Sequence, residues 1–226
     1  EAGLMVVNAG IRKVLERLPP RCPDVSVEEA RAELARLDGR RWAVLDFETA
    51  SFHEPRVIEV GLVASDGTVL MDELVDPRIP ITTRVTEIHG LTDTDVAGAD
   101  AWPAVQARLG RVLGEAGIQV VVAFNTSFEA MCLAYNAEAY GMAGLEVELV
   151  CMQRVALGLL GPGESGWLSL RRACEQVGVE EVPTHRAVAD CVATVSLCRR
   201  LFLPATTSAR TRVNELPREP ALQGAV

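Results

Sequence analysis

With 226 residues, 49% apolar and 23% charged, the chain has the composition of a soluble globular fold and not of a disordered tract. Its net charge of −9 has the wrong sign for holding nucleic acid by bulk electrostatics, so any such contact must be local and cation-assisted. No apolar run reaches the ~20 residues of a membrane span, no basic leader with an apolar core opens the chain, and the six cysteines lack zinc or C-x-x-C spacing. These exclusions leave a cytoplasmic protein with no membrane partner as the expectation.

Residues 5–18 carry Ile11, Val14, Leu15 and Leu18 at helical spacing and stop at Pro19-Pro20. A second helix opens on Ser26 and Glu29, spaced as a capping box, and stops at Gly39. Its apolar stripe is Val27, Ala30, Leu34 and Leu37. Together, residues 1–40 read as an N-terminal helical extension packed on the main domain, or equally as a surface for a protein partner.

Residues 42–45 form an apolar strand that ends on Asp46-Phe47-Glu48-Thr49. A second strand spans 56–64, Ser65-Asp66-Gly67 is a hairpin turn, and residues 68–75 return antiparallel. A polar loop leads to Ile88-His89-Gly90-Leu91-Thr92. Residues 102–113 are helical, with Trp102, Val105, Leu109 and Val112 on one face. The run 118–124 has the continuous apolar character of a strand covered on both faces. Asn125 and Thr126 can cap the next helix, which carries Phe128, Met131, Cys132 and Tyr135. A short strand at 147–150, a helix from Met152, a break at Gly161-Pro162-Gly163, a helix over 170–177 and a last helix over 186–202 follow. Residues 204–226 form a tail without periodicity, a second place for a partner to attach. This order of elements predicts an α/β domain with a mixed sheet.

Side chains alternate along a strand, so Asp46 and Glu48 share a face. Like charges so close repel unless a cation or a shared proton lies between them. Carboxylate oxygens favour hard divalent ions such as Mg²⁺ or Mn²⁺. An acidic strand end running into a polar loop is the plainer alternative for these two residues alone. Glu129 sits in a first helical turn, where the helix dipole by itself accounts for an acid. Asp190 lies one turn into a helix rich in Val, Ala and Cys, where a carboxylate is costly without a partner. His185 falls in the loop just before it.

These motifs, in this order, resemble the DEDD exonuclease superfamily in its histidine branch (DEDDh). The acid-x-Glu-Thr motif matches Asp46, Glu48 and Thr49, and Asn-x-x-Phe-Asp matches Asn125, Phe128 and, with a change, Glu129. His-x-x-x-x-Asp matches His185 and Asp190. The stretches 88–92 and 168–170 also look like family segments, so the resemblance covers residues 41–203. It implies a ribonuclease H-like fold, a five-stranded mixed sheet flanked by helices. It also implies metal-dependent 3′→5′ hydrolysis of single-stranded DNA or RNA ends to nucleoside 5′-monophosphates. In that reading two ions, Mg²⁺ or Mn²⁺, are held by Asp46 between them, Glu48 and Asp190 on the first, and Glu129 on the second. His185 is the general base. Thr49, His89, Leu91 and Phe128 hold the terminal nucleotide, and Asn125 shapes the site. For Phe128 a place in the core, and for His89 a plain turn position, are the alternatives.

Two departures stand out. The family usually has Asp at Glu129 and often His at Phe124. The extra methylene carries the Glu129 carboxylate ~1.5 Å further, and activity is expected to survive it. A nucleic-acid-binding or assembly module without turnover, and a proofreading subunit of a DNA polymerase, are the competing expectations.

Overall fold

The computed structural model describes residues 24–163 and 166–202. The helix expected over 5–18 and the tail over 204–226 lie outside the described residues. Five strands form one mixed sheet in the order β3-β2-β1-β4-β5. They are β1 Trp42–Thr49, β2 Val57–Ala64, β3 Val69–Leu74, β4 Val120–Ala123 and β5 Leu149–Cys151. β1 is central, antiparallel to β2 and parallel to β4, and β5 continues parallel beyond β4. This is the ribonuclease H-like arrangement that the resemblance implied.

Eight helices among the described residues complete the chain: α1 Val27–Ala35, α2 Thr83–His89, α3 Asp93–Val96, α4 Trp102–Glu115, α5 Thr126–Ala139, α6 Met152–Leu160, α7 Leu170–Val177 and α8 Ala187–Phe202. None of the helices described is long and apolar enough to cross a membrane.

Alternation along β1 feeds two cores. Trp42 and Val44 pack with residues of α1, α6, α7 and α8, while Ala43, Leu45 and Phe47 pack with Trp102, Val105 and Leu109 of α4 and Cys132 and Leu133 of α5. With both faces covered, β2 is buried over seven of its eight residues. The β4 strand is shorter than the apolar run 118–124 because Ile118 N–H is taken by Leu113 C=O at the end of α4.

The capping box forms: Glu29 N–H donates to Ser26 Oγ at 3.1 Å, and Ser26 N–H to the Glu29 carboxylate at 2.8 Å. Ala30 and Leu34 of α1 are buried, as is Leu37 in the turn just after it, while Val27, expected with them, is 40% exposed in the first turn. Gly158 lets α6 approach, since a Cβ there would meet Ala30 Cβ at 2.6 Å and Ser26 O at 2.7 Å. α1 also closes the open edge at β5. Glu33 accepts Cys151 N–H at 3.2 Å, and Arg36 and Arg40 reach Glu148 at 2.9 and 2.8 Å.

Candidate active site

The carboxyl ends of the parallel neighbours β1 and β4 open into one cleft of about 320 Å³, the usual place for a site in an open α/β sheet. Asp46 and Glu48 enter it from the face of β1 that Val44 also uses, the face covered by α8. Asp190 and His185 line the cleft with them, and Glu129 comes from the first turn of α5.

Donor atoms of Glu48, His185 and Asp190 all lie within 4.8 Å of one another. Glu129 and Asp190 are buried, and Asp46 and Glu48 half-buried. Burial, followed by the Glu129 charge and then those of Glu48 and Asp190, pushes Asp46 well above the usual carboxylate range. Burial first, then the Asp190 charge, lifts Glu48 to about 8, and Arg186 tempers the rise. Burial lifts Glu129 to about 8 as well, against its own backbone N–H. Asp190 is raised by burial and held back by the N–H of Thr184 and by His185. Its Oδ1 accepts both Thr184 N–H at 2.9 Å and His185 N–H at 3.2 Å, which leaves Oδ2 for other work.

Glu129 is 2% exposed, and its Oε2 has no hydrogen-bond partner. A buried orphan oxygen beside three further acids is costly in isolation. The donor set fits divalent metal ions: hard oxygen atoms, excess negative charge and a histidine at the mouth.

The remaining expected residues divide. Thr49 and His89, both 5% exposed, line the cleft with Asn125 and Phe128. His89 accepts Leu91 N–H on Nδ1 at 3.0 Å, and burial lowers its pKa, so the ring is neutral. Its Nε2 is buried without a well-formed hydrogen bond. Phe128 serves both core and cleft. Asn125 occupies the N-cap position of α5 but makes no side-chain capping bond; the residue is part of the cleft lining. Leu91 is not brought to the cleft. It is 6% exposed and packs with Ala50, Ile58 and Val96, because the left-handed Gly90 ends α2 and folds the chain back under it.

Phe52, Val85, Ile88 and Trp167 also line the cleft and were not among the expected site residues. Phe52, Ile88 and Trp167 are 51%, 41% and 42% exposed. An aromatic ring in a polar loop, six positions after Asp46 for Phe52, was the available signal.

The exonuclease family model RNase_T matches residues 43–198, well over half of the chain. The uncharacterized exonuclease CP81 of Escherichia phage 186 is 28% identical over 165 residues, covering 68% of this chain and 84% of that protein. DNA polymerase III PolC-type of Clostridium perfringens is 26% identical over 166 residues, 71% of this chain but 11% of that much longer protein. Among solved structures, the nuclease domain of 3′hExo, a DEDDh family member bound to rAMP, matches at TM-score 0.62 and 15% identity, over 73% of this chain and 93% of its own. Exonuclease X in complex with 5′ overhanging duplex DNA matches at TM-score 0.54 and 23% identity, over 71% and 90%.

Proposed function

The chain belongs to the RNase_T exonuclease family and is a nuclease of the DEDD superfamily, and from that premise we propose that it removes nucleotides one at a time from single-stranded 3′ ends. The observation that carries this is the cleft itself. Four carboxylates converge in it without a cation of their own, and His185 stands at its mouth. Two Mg²⁺ or Mn²⁺ ions held by Asp46, Glu48, Glu129 and Asp190 would supply the charge that acidifies a water and stabilises the leaving 3′ oxygen.

The protein's own groups do the rest. His185 is exposed and within reach of Glu48 and Asp190, so it can accept the proton of the attacking water. Asp190 ties down the backbone on which that ring is mounted. Phe52, Ile88, Phe128 and Trp167 wall a space of nucleotide size. Ring faces accept any base, so the end is gripped without regard to sequence. His89 and Thr49, neutral and buried, border the sugar. The product is a nucleoside 5′-monophosphate.

We also take residues 41–203 as the exonuclease unit, flanked by 1–40 and 204–226, in a cytoplasmic setting. The free thiols of the five described cysteines favour a reducing compartment. A 5′-labelled oligonucleotide with Mg²⁺ or Mn²⁺ should give a ladder shortening from its 3′ end, on DNA, RNA or both. Absence of a ladder on every single-stranded substrate with either ion would sink the reading. A silent binding module is the second reading, favoured by Glu129 in place of Asp. It requires that wild type be inert and Glu129→Asp active.

A further inference from the structure

One strongly buried acid takes no part in the cleft. Glu59 lies in the middle of β2, 2% exposed, directly opposite Glu48 in the β1–β2 register. Both of its oxygens are used by the segment that follows His185. Arg186 Nη2 and Nε reach Oε1 at 2.6 and 2.9 Å, and Ala187 N–H donates to Oε2 at 2.9 Å. Neither Glu59 nor Arg186 lines the cleft.

The contact is seated closely. A Cβ on Gly61 would fall 2.5 Å from Ala187 C and 2.7 Å from Val188 N, so only glycine lets the start of α8 touch β2. Cys191 Sγ lies 3.3 Å from Gly61 O and 3.4 Å from Val44 O, one turn further along. His185 itself has φ of +57°, a left-handed backbone that side chains with a Cβ disfavour, and its ring is exposed. With the ring exposed, its aim depends on the backbone that carries it. Asp190 holds that backbone from one side, and the Glu59–Arg186 pair from the other.

We infer that Glu59 and Arg186 are a positioning pair: their fork, buried on the Glu59 side and half exposed on the Arg186 side, is keyed by Gly61 and fixes the left-handed turn that aims His185 into the cleft. The inference rests on the proposed role of His185. Because the two charges cancel, the pair fixes geometry without adding net charge beside Glu48.

The test is the neutral double variant Glu59→Gln/Arg186→Met, which leaves the net charge unchanged. In the metal-free protein, amide hydrogen exchange at Thr184 and His185 should speed up at least about tenfold as their bonds to Asp190 loosen. In the active protein kcat should fall about 10- to 100-fold, with KM within about threefold and Mn²⁺ uptake by calorimetry unchanged. Added to His185→Ala, the same pair of substitutions should cost nothing more, since both act through one group. Arg186→Lys, which keeps the charge but not the two-nitrogen fork, should recover part of the loss. Unchanged exchange at Thr184 and His185 would overturn the inference. So would losses that multiply with His185→Ala, or a rise in KM alone, which would make Arg186 a substrate contact. A wild type inert on every substrate would sink the proposed function instead, and the exchange measurement would still decide the positioning role.

Discussion

The acids of the periphery and the acids of the cleft are treated oppositely by the same fold. At the β5 edge Glu148 sits between Arg36 and Arg40, whose hydrogen bonds hold it down to about 2. Glu73 meets Arg108 at 2.6 Å, and even the buried Glu59, outside the cleft, meets Arg186 at 2.6 Å. In the cleft, Glu48 and Glu129 are lifted to about 8 and Asp46 higher than its usual range, and among the described residues no arginine forms an ion pair with them. The contrast teaches that the cleft was not left negative for want of arginines. The one closest to Glu48 is spent on Glu59. In the proposed function, a divalent cation from solution fills that role.

The sharpest way to break this contrast is Asp46→Asn. It should cut the exonuclease rate by at least about a thousandfold, yet raise the melting temperature of the metal-free protein at pH 8, because it removes a carboxyl whose ionisation is opposed by burial and by the neighbouring acids. A lower metal-free melting temperature would show that the cleft acids are not in conflict. Next, Glu129→Gln should cost about a hundredfold in rate and a measurable part of Mn²⁺ affinity, whereas Glu129→Asp should stay within about tenfold of wild type. Phe128→Ala should raise KM about five- to a hundredfold, the value of one lost base stack, and leave kcat nearly unchanged.

The pH dependence follows from the signs. Glu48 and Glu129 move from 4.5 to about 8 on folding, so between those values the folded chain binds more protons than the unfolded one. Stability of the metal-free protein therefore falls as pH rises from about 5 to about 8. Metal ions displace those protons, so Mn²⁺ should flatten the fall and release protons on binding. Melting curves across that range in EDTA and in Mn²⁺ check both parts, and a metal-free protein that grows more stable toward pH 8 would refute them. The smallest effect belongs to the periphery: Glu148→Gln should cost less than about 1 kcal/mol, its partners being partly exposed and screened, and should leave the rate untouched.

Much of this was legible in the chain because it is local. Alternation placed Asp46 and Glu48 on one face, Ser26 and Glu29 announced the cap of α1, and Gly178 marked the end of α7. Leu91 packs with Ala50, Ile58 and Val96 outside the cleft lining, because motif position says that a residue is near a site but not which way the backbone turns after Gly90. Asn125 was read from helix-capping preference, yet its side chain makes no such bond. Phe52 and Trp167 were overlooked since an exposed ring in a loop has no period to betray it.

The sequence by itself determined the five strands and most of the helices, though not the short helices Thr83–His89 and Asp93–Val96, which it presents as a polar loop. It also determined the alternation that delivers two acids together and the ordered motifs that place the chain among DEDD nucleases. Tertiary structure decided what those acids feel. Their shifted proton affinities arise from burial and from charges that α5 and α8 bring to β1 from distant parts of the chain. It also decided that Glu59, an acid in an apolar strand, belongs to Arg186, 127 positions away. Spacing encodes which face a side chain takes; only packing sets the dielectric around it and the partner it meets.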